Sequence, residues 1–297
     1  YNGASINKQL SKETLDNLKV INQQEGGTLF MSLLTCLNVL LHKYTGQQDV
    51  VIGSPIAGRE HPDLEGQIGF YINTLALRTE FDSNDSFLSL YRKVKEVTLG
   101  AFEHQVYPYD ALVDDLALTR DTSRNPLFDV MLVLEDNTET LGEESFTGVT
   151  QNGYNSNTSG YEVAKFDLSF GFGESASGLF VSLNYNTDIY SKAQMEGMVV
   201  HLEQLLAEVS TTPTIQISDL NILTSAEETY LLETLNDTKV AYPADKTIVD
   251  LFEEQVAKTP NNIAVVFEEV KLTYQEINEL SNQLADYLRT SYEINPD

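Results

Sequence analysis

A single cysteine, Cys36, rules out an intrachain disulfide and any multi-cysteine zinc site. It falls on a segment that reads as an apolar helix, so a buried, inert thiol is expected. Basic residues are also scarce, with 18 Lys and Arg against 45 Asp and Glu and a formal net charge of −27. Nucleic acid and anionic membrane both require a basic footprint, so neither is an expected partner. The acidity reads instead as solubility and repulsion between copies. No run approaches the ~18 consecutive apolar residues of a membrane span, and no signal peptide opens the chain. With no disulfide either, the expected compartment is the cytoplasm. The chain opens at Tyr1 rather than Met, as an excised fragment would. Walker loop, G-x-G-x-x-G, zinc spacing and EF-hand are all missing, so no cofactor or metal is expected within the chain. No G-x-S-x-G nucleophile turn is present. The histidines number only four: His42, His61, His104 and His201.

What is present is a globular composition, 41% hydrophobic over 297 residues. That length suits one large domain or two smaller ones. Ser11 predicts a cap for a polar helix over 12–23. Phe30, Leu33, Leu34, Leu37, Leu40, Leu41 and Tyr44 predict an amphipathic helix ended by Gly46. His42 lies in its last turn, where a positive charge complements the dipole, so a structural role is expected. Asp49–Ser54 reads as a short strand, followed by a Gly- and Pro-punctuated loop to Arg59. Further helices are expected from Asp85 or Ser86 towards His104, from Tyr109 to Leu116, and after Ser191. Leu127–Leu134 reads as a buried strand, and Lys165–Gly173 with Gly178–Thr187 as a hairpin. Residues 136–161 change to Gly, Ser, Thr and Asn and predict a long surface excursion. Ser191/Gln194, Thr224/Glu227, Thr247/Asp250 and Thr273/Glu276 match the capping-box spacing.

The segment Ile68–Arg78 is the most informative. Its β-branched and aromatic left half predicts a strand covered on both faces. Asn73 and Thr74 interrupt it. A buried amide and hydroxyl must find partners, at a cost of roughly 1–3 kcal/mol each if they do not. Such a pair either knits neighbouring segments together or lines a cavity. Downstream lie His104–Asp110 (His-Gln-Val-Tyr-Pro-Tyr-Asp) and Arg120–Leu127 (Arg-Asp-Thr-Ser-Arg-Asn-Pro-Leu).

Together with Gly69–Thr74, these stretches resemble in order and spacing three motifs of the condensation domain of nonribosomal peptide synthetases. The family patterns are G-x-F-V-N-T, H/N-Q-D-x-P-F-E/D and R-D-x-S-R-N-P-L. The third matches at every fixed position. The first carries Tyr71 and Ile72 for Phe and Val, and the second carries Val106 for an acid and Tyr109 for Phe. Near the C-terminus, Leu272-Thr-Tyr-Gln-Glu-Ile277 resembles the first motif of an adenylation domain, L-T/S-Y-x-E-L.

The resemblance implies an α/β (α+β) lobe like that of chloramphenicol acetyltransferase, a mixed sheet with packed helices. It implies residues 1–210 as the C-terminal lobe of a condensation domain, 211–246 as linker and 247–297 as the start of an adenylation domain. Upstream and downstream peptidyl carrier domains would bring phosphopantetheine thioesters, and peptide bond formation would follow. The preceding condensation lobe and the rest of the adenylation domain would be partners too. The family's active-site signature, H-H-x-x-x-D-G, has no counterpart here, so no catalytic residue is expected in the chain, which is expected to be inactive alone. Substrate-tunnel candidates by resemblance are Ser54, Gly69, Tyr71, Asn73, Thr74, His104 and Gln105. Structural candidates are Arg78, Tyr107, Pro108, Arg120, Asp121, Ser123, Arg124 and Asn125. Arg59 and Arg78 are expected to pair with local acids. The alternatives are a non-catalytic carrier-docking module and an epimerisation or cyclisation relative on the same fold.

Overall fold

The computed structural model describes residues 1–59, 61–118, 124–135 and 163–294. Tyr1–Leu232 and Glu233–Asp297 are separate compact units. The first holds β1 (Gly3–Gln9), α1 (Lys12–Glu25), α2 (Leu29–Thr45), β2 (Asp49–Ile56), α3 (Pro62–Glu65), β3 (Asn73–Glu80), α4 (Phe87–Glu103), α5 (Tyr109–Asp115), β4 (Val130–Glu135), β5 (Leu168–Ser175), β6 (Gly178–Asn186), α6 (Lys192–Thr211) and α7 (Ser225–Thr229). The second holds α8 (Ile248–Lys258), β7 (Ile263–Phe267), β8 (Val270–Thr273) and α9 (Tyr274–Ser291).

Helix α2 is the most apolar of the helices and lies against α1, α4 and α6. Leu33, Leu34, Cys36, Leu37 and Leu40 are fully buried on it. Burial pushes the Cys36 thiol up, far from the reactive range. The helix ends as its sequence requires, with Gly46 in the left-handed region accepting no side-chain penalty. His42 packs edge-on against Phe81 and its Nδ1 lies 2.8 Å from the Gln47 carbonyl, a local structural role. One buried amide joins three helices: Asn22 Oδ1 accepts from Ser32 Oγ at 2.6 Å and from Tyr91 Oη at 2.8 Å.

The sheet is mixed, in the order β1-β6-β5-β4-β2-β3. β2 and β4, and β4 and β5, run parallel, while the β1/β6, β5/β6 and β2/β3 pairs are antiparallel. Strand β1 is mostly small and polar, so its sequence predicts no element; pairing with β6 along its whole length supplies the order instead. Strand β3 starts only at Asn73. The left half of Ile68–Arg78 is therefore not the doubly covered strand its composition predicts: Ile68 is 104% exposed and Phe70 88%. Position at the sheet edge explains the difference, since β3 has β2 as its single strand neighbour. Arg78 forks onto Asp49 across that pair at 2.8 and 2.7 Å. Both side chains are exposed, so this expected pairing with an acid contributes little to stability.

The first unit runs past Ser210, where the composition change predicts a boundary. Backbone carbonyls of Pro213 and Ile215 accept from Leu88 and Phe87, both at 2.9 Å. Ile217 is fully buried and Leu220 nearly so. Isolated aliphatic residues in a polar stretch carry too little periodicity to announce this docking. In the second unit β7 and β8 form a two-stranded sheet of their own. No side chain of α8 or α9 is buried. The excursion expected over 136–161 lies outside the described residues. No described helix is long and apolar enough to cross a membrane.

All four capping boxes form. Asp250 and Glu276 each accept from the backbone N–H and the hydroxyl of their cap threonine, at 2.7 to 2.9 Å. The backbone N–H first, and the hydroxyl next, hold both carboxyls below the usual carboxylate range. A lowered folded-state pKa gives stabilisation that is present above the unfolded value and lost as pH falls through the folded one. In an NMR acid titration, the Thr247 and Thr273 amides should therefore move with midpoints below the ordinary carboxylate values of about 4. Asp250→Asn and Glu276→Gln should abolish the respective steps; midpoints at or above the ordinary values would refute the capping account.

Candidate functional site

Asn73, the first residue of β3, is hydrogen-bonded on every side of its amide. Its Nδ2 donates to the carbonyls of Gln105 at 2.9 Å and Tyr107 at 2.8 Å. Its Oδ1 accepts from the Tyr109 N–H at 3.1 Å. The turn between α4 and α5 is thus fastened to the sheet edge by one side chain. Both amide protons are committed, so any further contact is left to a lone pair on Oδ1. Of the two roles open to an interrupting amide, knitting is the one its bonds perform, and Asn73 also borders a cavity.

A second cross-link continues from the same turn. Tyr109 Oη donates to Asn125 Oδ1 at 2.6 Å, and that oxygen also accepts from the Leu127 and Phe128 amides. Tyr109 and Phe128 rings meet at 5.7 Å. Phe128 in turn presses on Gly53 of β2, where an added Cβ would lie 2.2 Å from the ring. Arg124 forms a forked ion pair with Asp129. Arg120, Asp121 and Ser123 lie outside the described residues. Tyr107 donates to Asp115, and that hydrogen bond first, with partial desolvation, pushes its phenol up. Pro108 precedes α5 in extended conformation at φ −65°.

The loop before β3 is organised by Arg59. Its guanidinium lies 4.4 Å from the Tyr71 ring centroid and donates to the carbonyls of Leu64 and Gly69. Among the described residues it meets carbonyls and a ring rather than the acid expected from the sequence, because the loop folds back over it. Gly58, at φ +62°, allows the return: a Cβ there would lie 2.0 Å from the Tyr71 carbonyl oxygen.

Three cavities follow one another along this rim. One of about 320 Å³ is lined by Gly58, Tyr71, Asn73, Gln105, Val106 and Asp110 among others. One of about 390 Å³ is lined by Thr74, Leu75, Ala76, His104, Val106 and Leu112 among others, and shares Val106 with the first. One of about 240 Å³ takes in Phe30, Ser54 and Leu75, and so shares Leu75 with the second. Six of the seven tunnel candidates therefore line this row. Gly69 lines none of the three and serves the Arg59 loop. The His104 ring is exposed and makes no hydrogen bond among the described residues, so nothing orients it as a general base. Val106 and Asp110 lie within the second motif yet are not among the tunnel candidates, though both line the first cavity. The Gly53–Phe128 contact joins segments distant in sequence, and no motif marks it. The arrangement can position and enclose; it holds no nucleophile–base pair of its own among the described residues.

The condensation-domain family model matches residues 1–232. Tyrocidine synthase 3 of Brevibacillus parabrevis is 42% identical over 289 residues, 97% of this chain and 4% of the relative. Surfactin synthase subunit 1 of Bacillus subtilis (strain 168) is 38% identical over 288 residues, 96% of this chain and 8% of the relative. A crystal structure of a four-domain nonribosomal peptide synthetase bound to AMP and glycine shares the fold with a TM-score of 0.83 at 24% identity. It covers 99% of this chain, which matches 23% of that one. The first condensation domain of the calcium-dependent antibiotic synthetase, with a substrate analogue, has a TM-score of 0.59 at 19% identity, over 75% of this chain and 47% of that one. The fold is thus the mixed α/β fold of condensation domains. The chain belongs to the condensation-domain family of nonribosomal peptide synthetases over residues 1–232, a family of peptide-bond formation. It spans 4% and 8% of the length of these two synthetases.

Two substitutions test the rim. Asn73→Ala strands the Tyr109 N–H and two carbonyls and should cost about 1–3 kcal/mol, read as a fall of several degrees in Tm. Asn73→Asp, which sets a carboxylate against two carbonyls, should fall at least as far. Gly53→Ala should cost a similar ~1–3 kcal/mol by overpacking against Phe128. A Tm within a degree of the parent for Asn73→Ala would show that the turn holds without its anchor.

Proposed function

We propose that the chain is the C-terminal lobe of a condensation domain, leading through a linker into the opening of an adenylation domain. The observation that carries this reading is the joining of three motif segments, at Asn73, Gln105–Tyr109 and Asn125, around one row of cavities. In this reading the row is one wall of the tunnel in which carrier-borne phosphopantetheine thioesters meet. The downstream amine attacks the upstream thioester, and the amide bond forms as the pantetheine thiol leaves. The chain contributes enclosure and orientation, and Tyr71, Asn73, Thr74, His104 and Gln105 are its wall.

The surface supports an incomplete machine. Ile68, Phe70, Ile72 and Val106 are 57% or more exposed beside the row, a patch suited to contact with a preceding lobe. The sequence holds no His-His pair, so the acid–base chemistry would come from that lobe. In the second unit Val249, Val266, Phe267, Leu284 and Tyr287 are exposed. They suit an opening segment to be covered by the rest of an adenylation domain.

The chain alone should therefore not join two loaded carrier proteins, while a chain extended through a preceding lobe bearing H-H-x-x-x-D-G should. Dipeptidyl thioester formation followed by mass spectrometry reads both. Turnover by the short chain above the uncatalysed rate would overturn the division of labour and point to His104.

A further inference from the structure

Helix α7 sits at the end of the first unit with little packing to hold it, since none of the side chains of Ser225–Thr229 is buried. One carboxylate meets it from both directions. Glu227 Oε2 accepts from the Thr224 N–H and hydroxyl, both at 2.8 Å, closing the helix start. Its Oε1 lies 3.0 Å from Nε2 of His201 on α6. Nδ1 of the same imidazole lies 2.6 Å from Tyr44 Oη, in the last turn of α2. The His201 side chain is only 12% exposed.

The partners fix the protons. An ionised carboxylate only accepts, so Nε2 carries a hydrogen, and in the neutral ring Nδ1 accepts from the Tyr44 hydroxyl. Partial burial first, and the Glu227 charge second, push that phenol up to about 12, so it keeps the proton it donates. The Thr224 backbone N–H first, its hydroxyl next and then His201 hold the Glu227 carboxyl below its usual range, so it stays an acceptor. Nearby charges serve the preceding stretch instead. Glu208 accepts from the Asn221 N–H at 3.3 Å, Glu228 accepts from the Asn221 side chain, and Lys43 donates to the Ser218 carbonyl at 3.0 Å.

We infer that Tyr44, His201 and Glu227 form a polar clasp that decides whether the segment leaving the first unit is docked or free. Closed, it keeps the chain docked through α7 to Leu232, the end of the first unit. Opened, it moves the end of the docked chain back to Ile222, the last side chain packed on the first unit's core. The clasp thus sets the working length of the tether between the units.

Hydrogen exchange by mass spectrometry on the 297-residue chain tests this. His201→Ala should speed exchange of the amides over 225–234 by roughly ten- to a hundredfold, the loss expected for one hydrogen bond to a charged group. Peptides from β5 and β6 should be unchanged. Glu227→Gln should act in the same place, and the double variant should be no faster than the faster single one. His201→Gln, which keeps a donor for Glu227, should recover part of the protection. If His201→Ala fails to fold, Tyr44→Phe and Glu227→Gln with their double variant make the same comparison. Unchanged exchange over 225–234, additive effects, or acceleration spread equally through β5 and β6 would overturn the clasp.

Discussion

The two amide protons and the oxygen of Asn73 are the fixed point of the candidate site. A sheet edge ordinarily ends in unpaired backbone groups. Here the start of the edge strand offers a side chain instead, and the turn over 105–109 closes onto it. From Tyr109 the linkage passes to Asn125, from Phe128 to Gly53, and so back into the sheet. Gly53 on β2 stands opposite Ala76 on β3, three residues along from Asn73. The circuit is closed, and its links are directional hydrogen bonds and one tight ring contact. Such a rim keeps its shape without burying its own apolar side chains, which is how Ile72 and Val106 remain exposed beside it.

Much of the scaffold was legible because the local chemistry is unambiguous. Each capping box pairs a cap hydroxyl with an acid or amide at a fixed spacing, and all four form. Helix α2 announces itself by periodicity and by Gly46. The Leu127–Leu134 run and the hairpin around Glu174–Ser177 appear as strands within a few residues of their expected bounds. What was not legible depends on partners distant in sequence. Strand β1 is ordered by β6, with Asn7 opposite Ser182. The stretch after Ser210 is ordered by the start of α4. Ile68–Ile72 has the composition of a buried strand and none of the neighbours.

The motifs mark the site more reliably than the contacts within it. They draw attention to Asn73, His104–Asp110 and Asn125, yet the bond between Tyr109 and Asn125 joins two of them through a hydroxyl that a Phe at that position lacks. Arg59 shows the converse. In a chain of net charge −27 an arginine is expected to find a carboxylate, but guanidinium has five donors in a plane and suits carbonyls and an aromatic face equally well. A folded-back loop offered those first.

Apolar and polar contacts divide the work by permanence. Where the first unit must not come apart, leucines of α2 and α6 are fully buried, and the polar Ser32, Thr35 and Asn38 of α2 are buried among them with hydrogen bonds to nearby groups. Around Val106 and along the second unit, apolar side chains stand exposed on a backbone fixed by hydrogen bonds and caps. Where the chain leaves the first unit, the holding groups are a carboxylate on α7, an imidazole midway along α6 and a phenol in the last turn of α2. A contact of that kind is directional, so it defines one docked geometry. It buries little apolar area, so releasing it leaves the core intact. Hydrophobic packing at the same place would hold the exit more firmly, but would expose apolar surface each time the segment moved. A polar clasp beside an apolar core is the arrangement that lets a tether change length without beginning to unfold the unit it leaves.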